Sequence, residues 1–374
     1  MAQYSNIEWT DRTWNPTRGC SRVSEGCRHC YAEGVAARFS RPGLPYAGLA
    51  ERTARGPHWT GKVRLVPSAL QEPLWWSKPE RVFVNSMSDL FHEGFTDEEI
   101  AAVFGVMALR KHLTFQVLTK RSARMQQWFE WLQEEAAFHD GGVYDVIFSA
   151  AAQRVESKER WEKLLLESGL GERDHGLTEP WPLPNVWLGV SVEDQANDHR
   201  IGDLIATPAA VRFLSCEPLL GPLDLSPYLG TAFDGAEAYA YSHSIDWVIV
   251  GGESGHSARP FDIAWARDLV HQCTLAAVPV FIKQLGHQPI ERYGVAFGTH
   301  ASWVNKAPTL LIKTDLCFDA KGRACRLGID FARARDEGAF PVGIWRRVIT
   351  STRKGGVMAD WPSDLRVRQF PEVK

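Results

Sequence analysis

The sequence predicts an α/β fold, a TIM-like parallel βα barrel, partial or closed, over residues 1–290, with an insertion at 138–184 and a carboxy-terminal extension at 291–374. Three observations predict it. Short, nearly continuous apolar runs rich in β-branched and aromatic residues recur along the chain, as in strands buried on both faces. Amphipathic patterns lie between them, so strand, helix and strand alternate as in right-handed βαβ units. About seven such runs favour a closed or nearly closed barrel over an open doubly wound sheet.

The first strand is placed near residues 6–14, followed by a glycine-bearing loop and a helical stretch from Ala32 to Phe39. The later runs are RVFVNSMSD (81–89), TFQVLTKRS (114–122), NVWLGVSVED (185–194), VRFLSCEP (211–218), DWVIVGGESG (246–255) and VPVFIKQLG (278–286). After the second run, TDEEIAAVFGVMALRKH offers a Thr96 cap, an acidic first turn, and Ile100, Val103, Phe104 and Met107 at helical spacing. Met125, Trp128, Phe129 and Leu132 mark the next helix, and Ile263, Ala266, Leu269 and Val270 a later one. Residues 138–184 are rich in Gly and Pro, with a helix near 156–167, and read as an insertion. Residues 290–374 show no βα repeat.

With 44% apolar and 23% charged residues in 374, the composition is that of a globular protein able to bury a large core. The amino terminus lacks the basic start and apolar run of a secretory signal, and no stretch approaches the roughly 18 apolar residues of a membrane span. The expectation is a cytoplasmic protein without a membrane partner, in which clustered thiols bind metal or do chemistry rather than form disulfides. A net charge of −3 argues against indiscriminate nucleic-acid binding yet allows a local basic groove. The densest basic stretch, Arg346, Arg347, Arg353, Lys354, Arg366 and Arg368, reads as a solvated face.

In GCSRVSEGCRHCYAE, Cys20, Cys27 and Cys30 are spaced C-x6-C-x2-C on a loop directly before a helix. Three thiolates on such a loop can take three irons of a [4Fe–4S] cube and leave the fourth iron open. The loop follows the first strand, where the βα loops of a barrel form the active face. The alternative is a Cys3His zinc site completed by His29 or a distant histidine. Zinc motifs more often bring two ligand pairs, whereas here one cysteine stands apart from a lone C-x2-C.

WNPTRGCSRVSEGCRHCYAE, followed in order by FVNSMSDLF, FQVLTKR, WLGVSVED, RFLSCEPLLGPLDL, WVIVGGESG and VFIKQLG, resembles an uncharacterised phage-associated three-cysteine-motif family over roughly residues 4–290. That family is similar to radical S-adenosylmethionine enzymes. The resemblance implies a βα barrel whose [4Fe–4S] cluster cleaves S-adenosylmethionine to a 5′-deoxyadenosyl radical. It also implies an electron donor, here unidentified, and a nucleic acid or nucleotide as substrate. The usual spacing in those enzymes is C-x3-C-x2-C, so the x6 gap is a departure that bears on how the cofactor is chelated. His29 stands where that superfamily often places an aromatic residue near the adenine, with Tyr31 as a substitute.

Polar residues at the carboxyl ends of the strands should face the site. Those expected to hold the cofactor are Asn85, Ser86, Ser88, Asp89, Thr119, Lys120, Ser191, Glu193 and Ser215; Arg121, Ser254 and Gln284 belong to the same pattern. Glu217, Glu253 and Lys283 are the candidate catalytic groups, Lys283 as a point charge for a carboxylate or phosphate. Ser, Thr, Asp and Asn are also common caps and turn formers, which is the plainer account of any one of them. Gly251-Gly252-Glu253 ends the sixth strand rather than the second, so Asn85 to Asp89 is the better-placed candidate for the cofactor's amino group. Cys216 reads as a buried small hydrophobe rather than a radical relay, and Cys317 and Cys325 as structural thiols rather than a second metal site. The competing expectation for the whole chain is a zinc-stabilised nucleic-acid-binding protein without catalysis.

Overall fold

Seven strands form the main sheet: β1 (Arg12–Trp14), β2 (Arg81–Val84), β3 (Thr114–Thr119), β4 (Val186–Ser191), β5 (Val211–Cys216), β6 (Trp247–Gly251) and β7 (Val280–Gln284). All neighbouring pairs are parallel and hydrogen-bond in chain order from β1 to β7. This computed structural model describes residues 5–54, 56–169, 180–230, 245–294, 316–318, 324–329, 343–347 and 356–371.

Side chains alternate along each strand, so each run supplies two apolar faces. Val82 and Val84, Phe115 and Val117, Leu188 and Val190, Val248 and Val250, and Val280 and Ile282 join the large core beneath the helices. The residues between them, Phe83, Trp187, Phe213, Trp247, Ile249 and Phe281, form a second cluster around Trp9. Trp9 measures how far the sheet curls. Its ring centroid lies 4.7 Å from Phe83 on β2 and 6.2 Å from Trp247 on β6. Those strands are four steps apart, about 19 Å on a flat sheet at the usual strand spacing. The sheet therefore bends into a half-barrel, with the aromatic cluster filling its inner face. Gly189 makes room in that filling, because a side chain there would collide with the Phe213 ring.

The half-barrel is open between β1 and β7. The free edge of β7 is covered by the carboxy-terminal segment: Ile282 N donates to Val367 O (2.9 Å) and Gln369 N to Val280 O (3.0 Å). Phe370 then reaches across the seam, 5.3 Å from the Phe281 ring and under the Arg81 guanidinium at 4.3 Å. The tail thus links β7 to the start of β2 across the opening with one aromatic ring.

The helices are α1 (Tyr31–Arg38), α2 (Asp97–Leu109), α3 (Ser122–Ala136), α4 (Val143–Arg154), α5 (Lys158–Glu167), α6 (His199–Ala206) and α7 (Ile263–Leu275). Thr96 caps α2 in a reciprocal box: Glu99 N donates to Thr96 Oγ1 (3.3 Å) and Thr96 N to Glu99 Oε2 (3.0 Å). Every residue of α2 from Ile100 to Leu109 is buried, since α4 covers the side turned away from the sheet. Gly105 permits that approach, because any side chain would meet the Ile147 carbonyl. The 138–184 segment therefore carries two helices, α4 and α5, while its residues 170–179 lie outside the described residues. No helix among the described residues is long and apolar enough to cross a membrane.

A second sheet joins Phe261–Asp262 to Pro289–Gly294, Gly343–Arg347, Ala324–Ile329 and Leu316–Phe318, in that order. Its register sets Cys317 opposite Cys325. Arg353 and Lys354 lie outside the described residues.

Candidate active site at the mouth of the half-barrel

Parallel strands present all their carboxyl ends to one side, and in α/β folds ligands bind there. A cavity of about 1000 Å³ opens at that side. Its floor is the upper surface of the aromatic filling, including Trp9, Phe83 and Leu118. Cys20, Cys27 and Cys30 line it together with Asn85, Ser86, Ser88, Asp89, Thr119, Lys120, Ser191, Ser215, Glu217, Glu253 and Lys283. Of the residues expected to form the site, only Glu193 is sealed beneath the lining, with no exposed surface.

The cysteine loop is stitched to the ends of β2 and β3. Gly19 bridges to Ser88, the Thr17 and Ser88 hydroxyls are 2.8 Å apart, and Asn85 Nδ2 donates to Thr17 Oγ1 at 2.7 Å. Asn15 Oδ1 accepts from Met87 N (2.8 Å) and Tyr31 donates to the Ser86 carbonyl. Arg121 is the central strut. It donates to Asp89 (3.1 Å), Glu93 (2.9 Å), and both the carbonyl and the hydroxyl of Ser21 (3.1 and 2.8 Å), and its Nη1 stands 3.9 Å from Cys20 Sγ. His92 Nε2 lies 2.9 Å from the Ser21 hydroxyl. A side chain at Gly26 would run into Glu193, so the turn between Cys20 and Cys27 lies tight against the segment that follows β4.

Cys30 is the residue before α1, and the backbone N–H groups of Glu33 and Ala32 stabilise its thiolate. Burial is the larger influence and raises this thiol. It also pushes Cys20 up to about 12, aided by Asp89 and opposed by Arg121. Left to themselves these thiols keep their protons; a bound metal takes the place of the proton. Among the described residues, no three His, Cys, Asp or Glu side chains are gathered closely enough to hold one metal ion.

The acidic groups expected here are each met by a cation. Asp89 accepts from Thr119 Oγ1 (2.7 Å), Lys120 N (3.1 Å) and Arg121. Glu193 binds Lys120, Arg200 (2.9 Å) and the Ser24 hydroxyl (3.0 Å). Glu253 binds Arg259 (2.7 Å) and His29 Nδ1 (3.1 Å), and Glu217 binds Lys283 and Gln284, both at 2.8 Å. Three of these acids therefore brace the cysteine loop: Asp89 through Arg121, Glu193 through Ser24, and Glu253 through His29.

Burial alone would raise the Glu193 carboxyl, but Lys120 and Arg200 outweigh it and hold the group below the ordinary glutamate value of 4.5. A depressed carboxyl stabilises the fold above its unfolded pKa and loses that contribution as pH falls through its folded pKa. The melting temperature is thus expected to fall below about pH 4.5 as this group protonates. In Glu193→Gln that part of the decline should vanish and stability at pH 7 should drop by about 3 kcal/mol, as when a buried ion pair loses one partner. Thermal unfolding of both proteins across pH 3–7 measures it, and identical pH profiles would contradict it.

Some lining groups remain available to a ligand. Asn85 Oδ1 and Gln284 Oε1 are buried without a hydrogen-bond partner. Ser191 and Ser215 turn their hydroxyls to the same space, with no side-chain hydrogen bond among the described residues. Tyr31 borders the cavity with 59% of its surface exposed, whereas His29 is engaged by Glu253. Cys216 is fully buried on the opposite face of β5, in the apolar core, away from the cavity. Arg121 belongs to the expected rim but its bracing role does not follow from the sequence, and Arg200, Arg259 and Ser21 carry no sequence signal, because each works through a partner distant in the chain or unremarkable in type.

No curated protein and no solved structure matches the chain. A family profile with the description Protein of unknown function (DUF5131) matches residues 4–326, most of the length and all of the half-barrel with its cysteine loop, and the chain belongs to that family.

Proposed function

We propose that this protein is a radical S-adenosylmethionine-type enzyme built on a partial TIM-like barrel, with a [4Fe–4S] cluster on Cys20, Cys27 and Cys30 and the cofactor in the cavity beside it. One observation carries the reading: three thiols on the loop after β1 line the same cavity as the polar ends of the other strands. Cys20, Cys27 and Cys30 would hold the cluster, which would pass one electron from an external donor to S-adenosylmethionine, releasing methionine and supplying 5′-deoxyadenosyl radical chemistry for hydrogen abstraction from a substrate. The cytoplasm and an electron donor there are the setting this requires.

The donor set suits such a cluster. Thiolates on three irons of a cube stand further apart than thiolates on one ion, which at a Zn–S bond of about 2.3 Å and tetrahedral angles lie only about 3.8 Å from one another. Cys20, Cys27 and Cys30 line one cavity without being gathered closely enough to hold a single ion. Asn85 Oδ1 and Gln284 Oε1 await N–H donors, which the ammonium and adenine amino groups of the cofactor provide. Ser191 and Ser215 can bond ribose hydroxyls, and Tyr31 offers a ring face at the mouth. The aromatic floor keeps water from below, and the braced acids fix the loop without adding free negative charge beside the cluster.

The test is anaerobic purification followed by reductant and S-adenosylmethionine. About four irons per chain and release of 5′-deoxyadenosine are expected. One zinc and no iron would instead support a zinc-stabilised binding protein. Iron without 5′-deoxyadenosine would make the cluster structural.

A further inference from the structure

Charge is distributed unevenly along this chain. Residues 12–64 hold ten Lys and Arg against three Asp and Glu, a net of +7 in a protein whose total is −3, so the remainder carries −10. The first residues of that segment, Arg12–Trp14, are β1, and from Thr17 onward it forms a lobe at the mouth of the cavity. The small apolar cluster Ala32, Ala36, Ala37, Ala50 and Trp59 joins α1 to the hairpin of Ala50–Thr53 and Gly56–Trp59, with Cys20 and Cys30 packed against it. A short ribbon, Thr17–Arg18 with Arg64–Leu65, ties the lobe to the mouth.

The cations of this lobe are largely unneutralised. Arg38, Arg41, Arg52 and Lys62 are exposed and make no ion pair among the described residues. Arg18 and Arg64 sit directly opposite one another in the ribbon and both donate to the Pro45 carbonyl. Like charges opposed across strands destabilise a fold, so the arrangement costs stability unless an anion offsets it. Aromatic faces accompany the charge. Phe39 is 47% exposed and Tyr31 59%, both at the edge of the cavity, and the Arg18 guanidinium lies over the Tyr46 ring at 5.7 Å.

From this juxtaposition we infer that the lobe binds a single-stranded nucleic acid, whose phosphates follow the arginines and whose bases stack on Phe39 and Tyr31 as the strand enters the cavity. Basic residues alone would serve an acidic peptide equally well. Exposed ring faces beside a cavity of nucleotide dimensions favour a strand with unpaired bases. The inference deepens the proposed function, since it names the substrate class of the same cavity.

The experiment is fluorescence anisotropy of a labelled oligothymidylate of about 12 nucleotides, a length suited to one such groove, titrated with the full-length, anaerobically purified protein over a range of salt. Iron is measured on the same sample, so loss of the cluster reading and loss of this one are seen separately. Binding that weakens with salt is expected. The triple change Arg38→Gln, Arg41→Gln and Arg52→Gln should lower the slope of log K against log salt by about 2 and weaken binding about 100-fold near 0.1 M salt. Phe39→Ala should weaken it at least about fivefold. Circular dichroism of both variants checks that they fold. No binding at low salt, equal affinity for polyglutamate, tighter binding of a duplex, or a salt slope unmoved by the triple change would overturn the inference.

Discussion

Replacing Cys20, Cys27 and Cys30 together by alanine is expected to reduce bound iron from about four per chain to none and to abolish 5′-deoxyadenosine formation, with the fold intact. The three side chains are only partly buried and lie outside the main core beneath the helices. Their loop is held by Gly19, Arg121 and the Thr17–Ser88 pair, none of which requires a sulfur. The unfolding free energy of the metal-free variant should therefore match that of metal-free wild type within about 1 kcal/mol. Iron assay and urea denaturation check the two halves, and iron retained by the variant would place the metal elsewhere.

Trp247→Ala is expected to have the largest effect on stability. The indole is fully buried, with rings of Trp9, Trp187, Phe213 and Phe281 at centroid distances of 5.9 to 6.2 Å. Its Nε1 donates to Gln369 O at 2.8 Å and its ring lies 5.4 Å from Phe370. Truncation opens a cavity in the inner cluster and frees the tail that covers β7, so a loss of about 3–5 kcal/mol is expected. Residues 356–371 should also become sensitive to limited proteolysis. A loss below about 1 kcal/mol would mean that the inner cluster is not what holds the sheet in its curl.

The strands were legible because a sheet covered on both faces must be apolar on both. The run at 114–122 became Thr114–Thr119 and that at 185–194 became Val186–Ser191, each shortened where polar residues turn into the loop. The first strand was the weakest reading: residues 6–14 supply only Arg12–Trp14, and Trp9 leaves the sheet to fill its interior. Closure was not legible. Whether a seventh strand meets the first depends on curvature, which here is set by the packing of Trp9, Trp247 and Phe370 from distant parts of the chain.

The cavity lining was legible for a related reason, since parallel strands deliver their carboxyl ends to one rim. What those residues do there was not. Lys120 and Glu193 are 73 positions apart, and Glu217 and Lys283 66. Residue types alone gave no hint that each acid meets a cation, and so braces the site instead of standing free in it. Asn85 holds an unpartnered oxygen, but its amide nitrogen is spent on Thr17, a pairing that residue type alone does not reveal.

In the proposed function one iron of the cluster is left open for S-adenosylmethionine at the rim of the half-barrel. Electron paramagnetic resonance of the reduced, anaerobic protein tests it most directly, recorded with and without S-adenosylmethionine. A [4Fe–4S]+ signal whose g-values shift when the cofactor is added is expected. A signal unchanged by the cofactor, or a protein that holds only zinc, would contradict it.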